Sequence, residues 1–408
     1  MRIAQIHWAF PPIIGGVESH LAMLGPALVE KGCQVSLLTG AVPGEPEMAE
    51  YEGMTVKRTP LLDLNSLNPE IIAARAEEIR TEFKNFIEQF KPDMLHVHNM
   101  HYFSPVHADI LFELKKEYGI PLILTSHNVW ADSDPTWQEM NKRAQAWDAI
   151  IAVSHYIKRE MIRVGYEEKK ITVIHHGIDL NRFVPPGSKD LAEIERVYPQ
   201  FKGRRVIFHP ARMSLDKGCH ISVQALAEIR REFPGVLLVL AGTSKTVDWG
   251  SHQQKHVRQI MDLIEELQLQ DHVFVKLFAW SEMPLVYQAA EFCIYPSCFE
   301  EPFGLVMLES MASARPIIVS RAGGMPEIVR DGINGYIVPM GDAGALAERC
   351  CRLLADPIAC RQMGKTGRRM VEKFWTREVM TEATLAVYKK VSRGKGVDYE
   401  QLQPYQAG

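Results

Sequence analysis

The stretch SCFEEPFGLVMLESMASARP, residues 297–316, places two carboxylates around the start of an apolar run. Glu301 precedes the run, and Glu309 lies eight positions further on, inside it. A helix that begins near Phe303 leaves its first backbone N–H groups without intrahelical partners, and these groups attract an anion. An acid at a helix N-terminus interacts favourably with the helix dipole and so stabilises the helix. That explanation covers Glu301, but it leaves Glu309 unexplained within an apolar helix.

The two glutamates indicate a ligand that carries more than phosphate, because a carboxylate aimed at a phosphate is repelled by it. A carboxylate is an acceptor and binds hydroxyls, whereas the backbone of Phe303, Gly304 and Leu305 suits phosphate. A sugar nucleotide offers both kinds of group. Pro302 suits the first helical position or the residue before it. The stretch therefore predicts a nucleotide-sugar site at the start of a helix.

The rest of the chain alternates short apolar runs with longer helical patterns. Residues 2–8 and 33–40 are predicted strands on either side of a helix over 17–32. Further runs of four to eight residues, rich in Val, Ile and Leu, suit parallel strands that are covered on both faces. This β-helix-β order predicts an α/β fold with doubly wound parallel sheets.

The alternation pauses over residues 181–205, which hold three prolines and many charges but no sustained apolar run. We therefore predict the interdomain linker there, between an N-terminal domain over 1–185 and a C-terminal domain over 200–376. Two α/β domains of similar size imply a cleft between them. Ligands in such folds bind outside the carboxyl ends of the strands.

Composition excludes several classes of protein. The chain has 408 residues, 46% of them hydrophobic, and a formal net charge of −4. That charge gives no electrostatic argument for nucleic-acid binding, for which a basic patch is expected. No apolar run approaches the roughly 20 residues that span a bilayer, and the N-terminus shows no signal-peptide pattern. The seven cysteines form no CxxC pair. Reduced thiols in a cytoplasmic protein are the expectation.

A glycine pair follows the first predicted strand, where other nucleotide-binding motifs are missing. There is no G-x-G-x-x-G after that strand, and no GxxxxGK[ST], HExxH or GxSxG elsewhere. Gly15 and Gly16 would let the backbone approach a ligand at the start of the next helix. A plain strand-to-helix turn is the alternative explanation, and the pair alone does not decide between them.

Histidines cluster along the first domain, at His96, His98, His101, His107, His127, His175 and His176. The carboxylates and thiols around them lack recognised metal spacing, so we predict no metal site. His127 differs from the others because it follows an apolar strand, where ligand contacts gather. It is a candidate hydrogen-bond donor to a substrate hydroxyl or to a developing charge.

Two cations follow the first strand of the second domain. Arg212 and Lys217 lie in ARMSLDKG, directly before Gly218. A guanidinium and an ammonium that converge there would neutralise a diphosphate, and an arginine can bind it through two contacts. Two solvated surface cations are the alternative explanation. The loop-forming sequence between them favours a function.

Seven stretches together match one known family over nearly the whole chain. They are IIGGVESHLAMLGPALVEKGCQVSLLT, LTSH, IAVSHYIKREMI, VIHHGIDLNRFVP, ARMSLDKG, YPSCFEEPFGLVMLESMASARPIIVSRAGGMPEIVRDGINGYIV and FWT. In them the chain resembles the GT-B glycosyltransferases of family 4, the retaining group also called group 1 glycosyltransferases. The E-x7-E pattern from Glu301 to Glu309 is the most specific element of the resemblance.

The resemblance implies a GT-B fold, in which two Rossmann-like domains face each other across a central cleft and the second holds most of the donor. It also implies that a last helix, about 377–392, packs back on the first domain. Gly15 and Gly16 would line the donor phosphates, and His127 would lie beside the transferred sugar.

In the second domain, the resemblance implies that Arg212 and Lys217 grip the donor diphosphate. Glu301, together with the backbone of residues 303–305, would hold the sugar and a phosphate. Glu309 would bind the ribose. Because the two cations take the place of a metal, we expect no Mg²⁺ or Mn²⁺ requirement and no cofactor beyond the nucleotide-sugar co-substrate.

The function expected from this resemblance is a retaining hexosyltransferase. UDP-glucose or a UDP-N-acetylhexosamine is the first expectation for the donor, with GDP-mannose next. Acceptor candidates are a polysaccharide, a lipid-linked sugar or a small metabolite. The resemblance favours same-face attack, in which the leaving diphosphate helps to deprotonate the acceptor hydroxyl.

Three alternatives stay open, namely a nucleotide-sugar epimerase, a phosphorylase of the same fold, and a non-catalytic binding protein. Peripheral contact with the inner membrane surface is also open. Residues 155–170 carry Lys158, Arg159 and Arg163 near apolar residues. The acids of the same segment weaken any attraction to anionic lipid, which favours a solvated helix face.

Overall fold

The computed structural model describes residues 1–64, 66–99, 104–129, 135–242 and 251–392. The chain divides into two compact units. The first unit comprises Met1–Gly177 and the C-terminal segment from Arg377, and the second comprises Ile178–Thr376. Each unit is built around its own sheet of mainly parallel strands.

The first unit contains an eight-stranded sheet in the order β3-β4-β2-β1-β5-β6-β7-β8. Neighbouring strands are parallel except for the antiparallel pair β3 and β4. The strands are β1 Arg2–Ile6, β2 Gln34–Gly40, β3 Met48–Tyr51, β4 Met54–Thr59, β5 Met94–His98, β6 Leu122–Ser126, β7 Ala149–Ala152 and β8 Ile171–Val173. Every residue of β5, β6 and β7 is buried. Strands that are buried along their whole length need cover on both faces of the sheet.

Helices follow the strands of this unit in the order expected for a doubly wound sheet. They are α1 Gly16–Glu30, α2 Pro69–Ala74, α3 Ala76–Phe90, α4 Pro105–Tyr118, α5 Pro135–Asn141 and α6 His155–Arg163, with 3-10 helices at Pro60–Leu62, Ala144–Ala146 and Glu168–Lys170. Side chains cap several of them. For example, Ser104 and Ser154 accept hydrogen bonds from the first turns of α4 and α6.

The second unit contains a six-stranded, wholly parallel sheet in the order β11-β10-β9-β12-β13-β14. Its strands are β9 Arg205–His209, β10 Val236–Gly242, β11 Val273–Leu277, β12 Phe292–Tyr295, β13 Ile317–Ser320 and β14 Gly335–Val338. Its helices are α7 Ser188–Val197, α8 Cys219–Glu232, α9 Ser251–Glu266, α10 Met283–Ala289, α11 Leu305–Ala312, α12 Met325–Ile328, α13 Ala343–Ala355 and α14 Pro357–Phe374, with 3-10 helices at Pro199–Phe201 and Gln270–His272.

The last described helix, α15 Arg377–Ser392, belongs to the first unit and packs on α1. Two ion pairs accompany this packing. Lys31 Nζ lies 2.8 Å from Glu382 Oε1, and Arg377 Nη2 lies 2.8 Å from Glu30 Oε2. The Tyr388 hydroxyl forms a 2.6 Å hydrogen bond with a buried histidine of β5. Within the described part of the chain, no helix is both long and apolar enough to cross a membrane.

The predicted α/β architecture is confirmed in both units, and the predicted strands 2–8 and 33–40 lie within two residues of β1 and β2. The stretch 181–205, predicted as a linker, instead contains α7 and belongs to the second unit. Tyr198 explains the difference, because it is buried and its ring lies 5.2 Å from that of Phe201 and 5.6 Å from that of Phe278. Because charged residues surround Tyr198 in the sequence, its aromatic packing could not be predicted from the local pattern.

Each sheet reverses its strand order at one place. In the first sheet the chain moves outward from β1 through β2 and then returns to β5 on the other side of β1. In the second sheet the same reversal separates β9 from β12. A crevice opens at such a switch point beyond the carboxyl ends of the strands, and ligands of open α/β sheets bind there.

Candidate functional site

The predicted residues of the second unit follow the two strands at its switch point. Arg212 and Lys217 come after β9, and Glu301 comes after β12. Gly218 connects the two loops. It has a φ of +76°, and a Cβ added to it would lie 1.8 Å from the carbonyl oxygen of Pro296. The loop after β9 is therefore pressed directly against the end of β12, which only a glycine permits.

Lys217, Glu301 and Tyr295 form one cluster. The Lys217 Nζ lies 2.8 Å from Oε2 of Glu301, and the Tyr295 hydroxyl donates a hydrogen bond to the same oxygen. The two charged side chains are only 20% and 12% exposed, so water screens their attraction little. Among the described residues, the other carboxylate oxygen, Oε1, has no hydrogen-bond partner. The arrangement fixes the carboxylate and leaves one acceptor for a ligand hydroxyl.

The environment of Tyr295 shows that Arg212 acts on the same cluster. Burial raises the pKa of the Tyr295 hydroxyl well above its usual range, and the charge of Glu301 raises it further. The positive charge of Arg212 opposes this rise. The Lys217 Nζ also lies 4.3 Å from the ring centroid of Phe299. Two cations, one carboxylate and a phenol therefore share one region beyond β9 and β12.

The helix predicted to begin near Phe303 begins at Leu305, with Gly304 in the N-cap position. Gly304 has a φ of +86° and no side chain caps the helix. The placement of Pro302 at the first helical position, or just before it, is therefore wrong. The left-handed Gly304 ends the preceding loop and starts the helix later. The Met307 amide donates to the Gly304 oxygen at 3.1 Å, so the first turn directs its earlier amides toward the loop.

A neighbouring loop holds the acidic segment in place. The backbone amide of Gly323 donates to the carboxylate of Glu300, and that of Gly324 donates to the Glu301 carbonyl at 2.8 Å. A Cβ added to Gly323 would lie 2.1 Å from the backbone carbonyl oxygen of Glu301. The Glu300 carboxylate is thus bonded to the backbone of the neighbouring loop, whereas the Glu301 carboxylate faces the cations.

Glu309 lies on α11 and faces Tyr287 of α10. The Tyr287 hydroxyl donates to Oε2 of Glu309 at 2.5 Å. Burial raises the pKa of the Glu309 carboxyl, while the hydrogen bond from Tyr287 and the charge of Arg182 lower it. Tyr287 is fully buried. It therefore holds the carboxylate from the core side, and the half-buried Glu309 faces outward.

In the first unit, Gly15 is the N-cap residue of α1, and Gly16 is its first residue. A Cβ on Gly15 would lie 2.4 Å from Oε2 of Glu18, whereas one on Gly16 would meet nothing within 4 Å. Glu18 is buried and lies 3.1 Å from Nε2 of His7, which directly follows β1. Gly15 therefore leaves room for a buried carboxylate, a role that the sequence did not suggest.

His127 follows β6 and is buried among other histidines. Its backbone amide donates to Oδ1 of Asn99 at 2.7 Å, and its Nε2 lies 3.2 Å from Nδ1 of His98. Its ring stacks on His176, with centroids 5.1 Å apart and planes 16° apart. Burial, followed by the charges of His20 and His176, lowers the pKa of His127 well below its usual range. It is therefore a neutral imidazole.

Sequence reasoning missed five residues, which are His7, Glu18, His20, Tyr287 and Tyr295. His7 and Tyr295 stand at the carboxyl ends of β1 and β12, so the switch-point rule would have pointed to them once the strand order was known. Of the predicted histidines, His101 lies outside the described residues.

Two family models match consecutive parts of the chain. The model described as Glycosyltransferase Family 4 matches residues 14–182, and the model described as Glycosyl transferases group 1 matches residues 191–370. The chain belongs to the group 1 glycosyltransferases of family 4. It is a glycosyltransferase, and enzymes of this group transfer a sugar from a nucleotide sugar.

Curated relatives are similar to the enzyme over nearly its full length. Glycogen synthase of Mycobacterium tuberculosis is 25% identical, covering 97% of this chain and 96% of that protein. N-acetyl-alpha-D-glucosaminyl L-malate synthase of Bacillus anthracis is 25% identical, with 92% and 94% coverage. The acceptors that these names imply differ, so the family alone does not fix the acceptor.

Solved structures share the fold. Sucrose-phosphate synthase from Thermosynechococcus elongatus superposes with a TM-score of 0.82 at 24% identity, covering 97% of this chain and all of that one. Anabaena Alr3699/HepE in complex with UDP-glucose superposes with a TM-score of 0.75 at 19% identity, with 96% and 100% coverage. The glycosyltransferase therefore has the GT-B fold.

Proposed function

We propose that this glycosyltransferase moves a hexose from a UDP-sugar to a hydroxyl acceptor with retention at the anomeric carbon and without a metal ion. The observation that carries the proposal is the cluster of Lys217, Glu301 and Tyr295 at the switch point of the second unit. It combines a cation for phosphate with an oriented carboxylate for hydroxyls. The UDP and UDP-glucose complexes of Anabaena Alr3699/HepE, whose fold is similar, support a uridine nucleotide.

The donor diphosphate would bind where positive charge converges. Lys217 and Arg212 lie in the loop after β9, and the N-terminus of α11 would direct its free backbone amides toward the diphosphate. All three would gain interaction energy as negative charge grows on the leaving diphosphate. Fixed groups that meet developing charge typically contribute several kcal/mol to catalysis.

Glu301 would hold the hydroxyls of the transferred sugar. Its Oε2 is occupied by Lys217 and Tyr295, so Oε1 would be the acceptor for the sugar hydroxyls. A charged hydrogen bond of this kind is worth about 1.5–3 kcal/mol when its partners are desolvated.

Glu309 would accept hydrogen bonds from the ribose hydroxyls. Tyr287 orients its carboxylate through the 2.5 Å hydrogen bond, and the helix that carries Glu309 also presents the amides for the diphosphate. One rigid element would therefore set the distance between diphosphate and ribose, which would explain why Glu309 lies within the apolar helix.

His127 would donate a hydrogen bond to the transferred sugar from a neutral imidazole. In the proposed step, the acceptor oxygen bonds to the anomeric carbon on the face that the donor diphosphate leaves. The carbon–oxygen bond to the diphosphate breaks, and its electron pair goes to the diphosphate. The proton of the acceptor hydroxyl passes to a diphosphate oxygen, so the step needs no protein base.

Contact with a membrane surface is not part of the proposal. Lys158 lies 3.1 Å from Glu168, and Arg163 lies 2.8 Å from Glu160. These pairs reduce the positive charge that α6 can offer to anionic lipid. We also propose a cytoplasmic location, because the seven cysteines form no CxxC pair and suit reduced thiols.

The test incubates the enzyme with UDP-glucose, UDP-N-acetylglucosamine, GDP-mannose or ADP-glucose, with and without a panel of oligosaccharide, polyprenyl phosphate and small polyol acceptors. Release of nucleoside diphosphate and the anomeric configuration of the product are measured. We expect UDP release that depends on an acceptor, and an α-linked product from an α-linked donor. Donor conversion without acceptor would favour an epimerase, and phosphate-dependent glycan cleavage would favour a phosphorylase.

A matched pair of variants assigns the activity to the proposed site. Glu301→Gln removes the charge of the carboxylate beside Lys217. Glu348→Gln makes the same change at an exposed position on α13 of the same unit. Activity lost only in Glu301→Gln supports the proposal, and equal activity in the two variants contradicts it.

A further inference from the structure

Three histidines of the first unit converge from three different elements. His20 lies on α1, His98 is the last residue of β5, and His127 follows β6. One ring nitrogen of each lies within 4.8 Å of those of the other two. Their ring centroids are 5.1–5.5 Å apart. All three are buried, and only His20 and His127 keep a small exposed fraction, 5% each.

Each of the three rings carries one nitrogen that no group in the described part of the chain satisfies. These atoms are Nε2 of His20, Nε2 of His98 and Nδ1 of His127. Most buried polar atoms are hydrogen-bonded, so three unsatisfied atoms in adjoining side chains need a reason. A ligand shared by all three would supply one.

Two other buried histidines of the same unit show the contrast. His96 bonds to the Tyr388 hydroxyl at 2.6 Å and to Thr125 Oγ1 at 2.7 Å. His107 bonds to Ser104 Oγ at 2.7 Å and to the Leu61 carbonyl at 3.2 Å. Both ring nitrogens of each of these histidines have hydrogen-bond partners, so a structural role accounts for their burial. Burial alone therefore does not leave a histidine of this unit unsatisfied.

We propose that His20, His98 and His127 bind a borderline transition-metal ion, of which Zn²⁺ is the type. Imidazole nitrogen is a preferred ligand of such ions, whereas Mg²⁺ and Ca²⁺ need oxygen. Zn–N bonds of about 2.0–2.1 Å in a tetrahedral site place the nitrogens roughly 3.3 Å apart, so the rings would draw together slightly on binding. A fourth position would stay open for water.

The surroundings suit a divalent cation in two ways. His176 Nδ1 lies 2.9 Å from His20 Nδ1 and restrains the His20 ring, as a partner of the second ring nitrogen does in known metal sites. Each ring nitrogen of the nearby His7 lies close to an oxygen atom. Its Nδ1 is 3.1 Å from the His98 carbonyl oxygen, and its Nε2 is 3.1 Å from Glu18 Oε1. Glu18 therefore places a buried carboxylate beside the cluster, which suits a cation.

A bound ion would inhibit the enzyme. This consequence rests on the proposed function, because the ion would take the His127 ring from the transferred sugar. The ion would then compete with the donor and play no part in the reaction. A chelator would raise the activity of a preparation that carries traces of zinc, and added Zn²⁺ would lower it.

The binding experiment titrates the full chain with Zn²⁺ by calorimetry and with Co²⁺ by visible absorption, without any sugar nucleotide. We expect one ion per chain. His20→Gln should weaken binding by at least about tenfold, since loss of even an outer partner has an effect of that size. His256→Gln, the same change at a histidine of the second unit, should bind as wild type does. Equal binding by wild type and His20→Gln, or no binding by wild type, overturns the proposal.

His20→Cys guards against a variant that merely fails to fold. A cysteine at this position keeps a metal ligand but changes its chemistry, so Co²⁺ should show a thiolate charge-transfer band that is absent from wild type. That band in the wild type instead would place the ion on a native cysteine and overturn the proposal. The half-buried Cys298 is the first to check, by Cys298→Ser.

The activity experiment separates the two proposals. Zn²⁺ should inhibit transfer competitively with the donor in wild type and at least tenfold more weakly in His20→Gln. Inhibition that is independent of donor concentration contradicts the competitive mechanism. An enzyme that turns over no donor contradicts the proposed function, but it leaves the binding result intact, because that assay measures no turnover.

Discussion

Replacing Glu309 by glutamine should stabilise the fold and weaken donor binding. Burial raises the pKa of the Glu309 carboxyl, so ionising it costs more in the folded chain than in the unfolded one. Glutamine has nearly the same shape and can accept the Tyr287 hydrogen bond, but it carries no charge. The variant should therefore remove an electrostatic cost that the wild type tolerates for its function.

The size of the effect depends on pH. A carboxyl whose pKa is raised on folding contributes stability below its unfolded pKa and loses it as pH rises through the folded value. The wild type should therefore lose stability over this acidic window relative to Glu309→Gln. The Tm values of the two proteins should be similar at the acidic end of the range, and their difference should grow as pH approaches neutrality.

The expected gain at neutral pH is about 0.5–2 kcal/mol, the usual size for relieving a functional compromise. For a unit of about this size, each kcal/mol corresponds to about 2–4 °C, which gives a rise of about 1–8 °C in the Tm of the second unit. UDP affinity should fall about 10- to 150-fold, because a charged hydrogen bond is worth about 1.5–3 kcal/mol.

The assay is thermal unfolding from pH 4 to 8, together with calorimetric titration of UDP at neutral pH. Glu348→Gln serves as the control, because it removes an exposed carboxylate from the same unit. A variant that melts no higher than wild type at any pH would refute the argument from burial. Unchanged UDP affinity would refute the ribose assignment.

Three further predictions test other parts of the site. Lys217→Met should lower kcat by about 10²–10³ through lost stabilisation of the leaving diphosphate; steady-state kinetics with a loss below threefold would contradict that role. Gly218→Ala should lower the free energy of unfolding by more than about 1 kcal/mol, because φ is +76° and the new Cβ would meet the Pro296 carbonyl. Gly235→Ala, where a Cβ meets nothing within 4 Å, is its control in urea denaturation, and equal losses would contradict the steric explanation. Transferase activity should survive excess EDTA, and a loss that Mg²⁺ or Mn²⁺ restores would show that the cations do not replace a metal.

Continuous apolar runs made the central strands predictable, because parallel strands buried on both faces need such runs. β4 was missed for the opposite reason. It carries Lys57 and Arg58, which are buried in the fold. Lys57 is neutralised by Glu82 at 2.8 Å, a partner that is distant in sequence. No local pattern shows that a charged residue will find such a partner.

The candidate site was predictable in its charged residues but not in the groups that orient them. Glu301 and Glu309 stand out in sequence because charge is unusual beside an apolar run, and Lys217 stands out because it lies in a loop after a predicted strand. Tyr287 and Tyr295 look like ordinary core residues, because spacing does not show where a hydroxyl points. The histidine cluster was hidden for a related reason, since His20 and His127 meet only after the order of the strands is known.

The most direct test of the central claim is a crystal structure of the protein with UDP. We expect the diphosphate to contact the Lys217 ammonium and the first-turn amides of α11, and the ribose hydroxyls to bind the Glu309 carboxylate. UDP bound away from the ends of β9 and β12, or a ribose that does not reach Glu309, would contradict it.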